Sequence, residues 1–168
     1  MAMFEICPLC RHVREENEQN YCGCVRKDYI SEKDFIWADE RLAGVALKLM
    51  DKGFLVRACL MDEILPRTKT AIRIHFDKHY EVESLFREMP PDWHTETFTP
   101  SDDKSFRHTV LVDYLEWSDS EEDMEGELTL TISNLETWVE ELDGEAVKAV
   151  LTLAGYPVAP ITHKPDML

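Results

Sequence analysis

Four of the chain's five cysteines fall within its first 24 residues, as Cys7-Pro8-Leu9-Cys10 and Tyr21-Cys22-Gly23-Cys24. Two thiolates three positions apart around a tight turn can point at one ion, and Zn²⁺ prefers four ligands in a tetrahedron. Pro8 presets a turn dihedral, and Gly23 lets the second loop close tightly. Eleven residues separate the two pairs, enough for the chain to return. Residues 1–28 hold too few large apolar side chains to build a core, so a metal would supply folding energy that burial cannot. The pattern therefore predicts a structural zinc knuckle with Cys7, Cys10, Cys22 and Cys24 as ligands. His12 is a substitute ligand, and paired or free thiols are the competing readings. A site with four protein ligands is closed, which makes it architectural and not catalytic.

The remainder of the chain is large enough to bury its own core. Ser31 with Asp34 resembles a helix cap, and Phe35, Ala38, Leu42, Val45, Ala46, Leu49 and Met50 recur near the helical period up to Gly53. A single helix from Ser31 to Gly53 is expected. Strands are expected over Phe54–Met61 and Thr70–Phe76, separated by a turn at Pro66. A short helix over Glu81–Met89 should stop at Pro90-Pro91, before an extended Trp93–Thr99. With 16 residues between them, the strands Thr70–Phe76 and Trp93–Thr99 could form a right-handed crossover unit. His108–Trp117 is apolar on both faces, as in a covered central strand.

Glu116–Glu127 reads as an acidic hairpin loop, although its spacing fails the calcium-loop pattern. Leu128, Leu130 and Ile132 alternate with Thr129 and Thr131, which suggests one more strand. Ser133 and Glu136 then suggest a cap for a helix carrying Leu135, Trp138, Val139 and Leu142. A last helix carries Val147, Val150, Leu151 and Ala154. The predicted architecture is α+β: a mixed sheet of about five strands with packed helices, preceded by the cysteine knuckle. The expected divisions are the knuckle at 1–28, the α+β domain at 29–156 and an irregular tail at 157–168.

The formal net charge is −16, and 11 of those excess negative charges follow residue 115. No basic stripe exists to neutralise phosphates, so direct nucleic-acid binding and anionic membrane surfaces are disfavoured. A basic protein partner is the electrostatic match. The start of the chain lacks the pattern of a secretory signal, and no stretch is long and apolar enough to span a membrane. A cytoplasmic protein with reduced thiols is the expectation.

His75, Asp77 and His79 alternate and would share one strand face. Two imidazoles and a carboxylate there could bind a metal or move protons. The simpler account is a solvated face opposite Ile72, Ile74 and Phe76. His94 and His108, on neighbouring strands, could approach the same face. Cys59, in a predicted strand, reads as a small buried hydrophobe and not a nucleophile. Phosphate-binding and dinucleotide-binding glycine motifs and the nucleophile elbow are absent.

The run Leu47-Lys48-Leu49-Met50-Asp51-Lys52-Gly53-Phe54-Leu55-Val56-Arg57-Ala58-Cys59 resembles part of an uncharacterised bacterial and phage family. Its members place a Lys-Gly-Tyr motif after a helix and a strand ending in Cys-Ser-Gly-His, often behind an N-terminal cysteine knuckle. Here Leu60, Met61 and Asp62 replace the Ser-Gly-His. The resemblance implies a helix-strand-strand layout and no known activity. Three functions follow from the sequence. The leading one is a zinc-containing binding or adaptor module with an acidic C-terminal region. The others are a small enzyme using His75 and His79, and an acidic mimic of nucleic acid that occupies a basic protein.

Overall fold

The computed structural model describes residues 2–65, 68–102, 106–117 and 120–162. In chain order it contains β1 (Met3–Ile6), β2 (Val13–Glu15), α1 (Gly23–Arg26), β3 (Ile36–Asp39), α2 (Ala43–Asp51), β4 (Val56–Leu65), β5 (Lys69–Phe76), β6 (His94–Phe98), β7 (His108–Glu116), α3 (Glu121–Glu141) and α4 (Gly144–Leu153). The fold is α+β with a mixed sheet, as expected, but the sheet has seven strands instead of about five, in the order β2-β1-β3-β4-β5-β7-β6. Two of the added strands, β1 and β2, come from the cysteine segment: β1 pairs antiparallel with both β2 and β3.

The expected Ser31–Gly53 helix divides. Ser31 does cap a turn, since its hydroxyl accepts from the Lys33 N–H at 3.3 Å, but only the 3-10 turn Glu32–Asp34 follows. Ile36, Trp37 and Ala38 then form a strand in which Ile36 and Ala38 are buried and Trp37 is exposed. The spacing of Phe35, Ala38 and Leu42 matched a helix by coincidence, while the β-branched Ile36 and aromatic Trp37 suit a sheet. Asp39 ends the strand: its carboxylate accepts from the Arg41 N–H at 3.0 Å and its carbonyl from the Leu42 N–H at 2.8 Å. That turn aims α2 back along the sheet, and β3 pairs parallel with β4. The crossover unit is therefore β3-α2-β4. The strands β5 and β6 run in the same direction, but β7 lies between them, antiparallel to both. The expected Glu81–Met89 helix is a 3-10 turn at Glu83–Phe86.

The largest correction concerns residues 120–141. From Glu121 on, the expected acidic hairpin loop, the Leu128–Ile132 strand and the cap at Ser133 are parts of one helix, α3, which is 21 residues and so about 31 Å long. Its buried residues are Met124, Leu128, Thr131, Ile132, Leu135, Trp138 and Val139, a helical stripe, whereas Leu130 is 62% exposed. The cap is Ser120, whose hydroxyl accepts from the Asp123 N–H at 3.1 Å. Glu121, Glu122 and Asp123 occupy the first turn, where negative charge is favourable against the helix dipole. The alternation of Leu with Thr was misleading because Thr129 points outward and returns its hydroxyl to the Glu125 carbonyl at 2.9 Å. The final helix forms as expected, capped by Asp143, which accepts from the Glu145 and Ala146 N–H groups at 3.1 and 3.3 Å.

Gly53 closes α2 with φ at +109°, a conformation side chains rarely adopt. A Cβ there would also meet Lys148 Cγ at 2.8 Å, and the Gly53 carbonyl accepts from the Ala159 N–H at 2.9 Å, which docks the tail. The expected turn residue Pro66, residues 103–105, Ser118 and Asp119 of the expected acidic loop and the last tail residues lie outside the described residues.

All three longer helices share one core with Ile72, Ile74, Phe76 and Leu111. Alternation puts Ala71, Arg73 and His75 of β5 on the other side of the sheet. The register places Ala58 and Leu60 of β4, Val110, Val112 and Tyr114 of β7, and His94, Glu96 and Phe98 of β6 on that same side. Among the described residues, no helix packs there.

Residues Leu130 and Ile132 distinguish a helix from a strand. Leu130→Glu should change the unfolding free energy by no more than about 0.5 kcal/mol, as an exposed position allows. Ile132→Ala should cost roughly 2–4 kcal/mol. Urea denaturation of the two variants measures both; equal, large losses would restore the strand.

Candidate metal centre and histidine pair

The sheet builds the cysteine site from its edge. Cys7 follows β1 directly and is fully buried. The chain reverses over Pro8, Leu9 and Cys10, with the Arg11 N–H donating to the Cys7 carbonyl at 2.9 Å and the Cys7 N–H to the His12 carbonyl at 3.0 Å. Arg11 takes φ of +65°, the left-handed corner of this turn. Its guanidinium donates to the Pro8 carbonyl and, at 2.7 Å, to the Pro160 carbonyl, tying the turn to the tail. Cys22 precedes α1 and Cys24 lies within it. This single turn of helix faces the first pair.

The sulfur atoms of Cys7, Cys10, Cys22 and Cys24 all lie within 4.8 Å of one another. Four sulfurs at the usual Zn–S bond length would stand about 3.8 Å apart in a tetrahedron, so the arrangement fits a tetrahedral ion. His12 is exposed and outside the cluster. It contributes its backbone N–H, which favours thiolate at Cys10; the N–H groups of Leu9 and Cys10 do so at Cys7, and those of Val25 and Cys24 at Cys22. Burial still pushes the Cys7 and Cys24 thiols up to about 11 and raises Cys10. At Cys22 burial acts in the same direction, but the backbone N–H of Val25 and the neighbouring thiols outweigh it and lower the pKa. The cluster could hold a metal ion, whose positive charge would offset the mutual repulsion of four thiolates this close.

A small apolar shell holds the cluster. Phe35 is buried against the cysteines with Leu9, Val25 and Ile30 around it. Tyr21 meets Phe35 edge-on at 5.7 Å, and the Arg14 guanidinium lies 4.0 Å from the centre of the Tyr21 ring. Arg14 itself is buried and paired with Glu5 of β1 at 2.5 Å. One chain of contacts thus runs from the sheet edge to the cysteines.

The histidines sort differently from the sequence expectation. His75 and His79 do not share a strand face, because β5 ends at Phe76. His79 pairs with Glu81 at 3.2 Å, and its carbonyl accepts from the Tyr156 hydroxyl at 2.8 Å. His75 instead meets His108, with Nδ1 and Nε2 3.0 Å apart. His94 stands opposite Val112, bonded to Glu96 at 2.9 Å. His108 is only 3% exposed. The expected approach of His108 to the His75 face is met, because His108 opens β7 and so lies beside the end of β5; the strand order supplies that adjacency. Both imidazoles are held below the usual histidine range. Burial is the main cause; the neighbouring His108 and Arg73 and Arg57 add to it at His75, and Arg57 at His108. Cys59 is fully enclosed and its thiol is raised by burial, an inert core position.

The chain matches no protein-family model, and no curated protein or solved structure matches it at a significant level. Among the described residues no helix is long and apolar enough to cross a membrane.

His75 titrates near pH 4. Between pH 6.5 and 4 the unfolded chain binds a proton at this position that the native chain does not, so stability should fall as pH drops through that window. Histidine NMR should give a midpoint near 4 for His75, and His75→Gln should flatten the acid side of the stability profile.

Proposed function

We propose that the chain is a zinc-containing binding or adaptor protein, in which the metal fixes the cysteine segment against the sheet. The observation that carries this reading is the convergence of four cysteine sulfurs from two separate turns within 4.8 Å. Sulfur-only ligation suits Zn²⁺ better than the hard, oxygen-seeking cations. When bound, the ion would compensate the four thiolates and cross-link the β1–β2 turn to α1. All four ligands come from the protein, so the site leaves no open position for a substrate. The thiolates need a reducing compartment, which supports a cytoplasmic setting.

The partner we propose is a protein, basic if the contact is electrostatic. Glu121, Glu122 and Asp123 are exposed at the start of α3, in the segment that holds most of the excess negative charge. Direct contact with nucleic acid or an anionic membrane is disfavoured by the same charge.

Purified chain should contain close to one zinc per molecule by elemental analysis. Cys24→Ser should lower that content and destabilise the fold by several kcal/mol, since structural zinc supplies folding energy directly. Fully folded, metal-free protein with native thermal stability would overturn the proposal.

A further inference from the structure

The helix-free side of the sheet carries a cavity of about 410 Å³, lined by Arg57, Leu60, His75, Phe98, Ser101 and His108, among others. Its volume falls within the range of small-molecule sites. Two features fix its chemistry. His108, which lines it, is buried, yet its Nδ1 is enclosed without a partner. Arg57 has no carboxylate partner among the described residues; its guanidinium lies over Phe106, 4.7 Å from the ring centre.

The hydrogen-bond network assigns the protons. An enclosed N–H without an acceptor is the costlier orphan, so Nδ1 of His108 is the bare nitrogen. His108 Nε2–H then donates to His75 Nδ1 across their 3.0 Å contact. His75 is neutral and keeps its proton on Nε2, which meets no acceptor among the described residues. Against two acceptors, the enclosed His108 Nδ1 and the Asp102 carboxylate at the rim, the cavity offers three donor side chains: the His75 Nε2–H, the Arg57 guanidinium with its several N–H groups and the Ser101 hydroxyl. A donor-rich site takes an oxyanion. Phe98 supplies an apolar wall: its ring stands edge-on to His75 at 5.9 Å and 5.1 Å from the His108 ring. The exposed Asp102 at the rim supplies one negative charge. That charge disfavours multiply charged anions.

We propose that this cavity binds a small organic monocarboxylate, its carboxylate held by Arg57 and His75 and its planar body resting on Phe98. The site is separate from the cysteines and stands or falls independently of the metal.

The test uses the full chain with its metal and follows the histidine Cε1–H signals by NMR during titration with benzoate at pH 7. His75 and His108 should shift saturably while His12 and His94 stay in place. Arg57→Gln, at an exposed position that leaves the core intact, should weaken benzoate about tenfold or more, as loss of a charged hydrogen bond does. Benzylammonium, the same ring with the opposite charge, should not saturate the site. Absence of a saturable shift, equal affinity in Arg57→Gln, or equal binding of benzylammonium would each overturn the proposal. Tighter binding of inorganic phosphate than of benzoate would overturn the carboxylate assignment.

Discussion

Apolar side chains from α2, α3 and α4 all bury against one face of the sheet, and this one-sided packing governs the rest of the molecule. Ile72, Ile74 and Phe76 of β5 and Leu111 of β7 supply the floor, while Leu49, Leu135, Trp138 and Leu151 supply the roof. Burial of apolar area is the dominant favourable contribution to folding. Because it is met on one face, the opposite face is free to carry Arg57, His75, His94, Glu96 and Tyr114. Small residues fill that face at its centre: Ala71, Val110 and Val112 form their own buried patch beneath Tyr114. A buried polar contact also joins the helix side to the sheet, where the Thr131 hydroxyl of α3 donates to the Asp113 carboxylate of β7.

The cysteine cluster is an extension of this sheet. Hydrogen bonds from β1 to β3 fix Cys7 at the end of a strand, and the Glu5–Arg14 pair secures the β1–β2 hairpin beneath it. A buried ion pair contributes little net stability, since desolvation offsets its attraction. Its geometry nevertheless orients Tyr21 and, through Tyr21, the second cysteine pair. The acidity that dominates the composition has a local use as well. Three of the carboxylates stand in the first turn of α3, and Arg41 reaches Glu125 at 2.5 Å.

Several elements were legible in the chain before its fold was known. The cysteine spacing identified four residues that do converge, because tight turns bring Cys7 to Cys10, three positions on, and Cys22 to Cys24, two positions on, without help from distant residues. The strands around Ile72–Phe76 and Val110–Leu115, and the last helix with Val147, Val150 and Leu151, also follow from local pattern. Residues 31–42 and 121–133 were misread for a common reason. Leu128, Leu130 and Ile132 fit both a strand and a helix over so short a window, and Phe35, Ala38 and Leu42 fit a helix across what is really a strand and a turn. Period alone cannot separate these; the long-range partners decide.

What the sequence determined, then, is local chemistry: which residues can turn, cap, alternate or ligate, and where the charge is concentrated. What only the tertiary structure decided is adjacency. The sequence set His75 beside His79 and let His94 and His108 approach from neighbouring strands; the structure separates His79 and brings His108, 33 residues on, into contact with His75. The exchange follows from β7 inserting between β5 and β6, a choice made by the helix-side core that no neighbouring residue encodes. Hydrogen-bonded strands exchange side-chain neighbours with every change of order, so a site built across strands is set by topology, while a site built on turns is set by spacing.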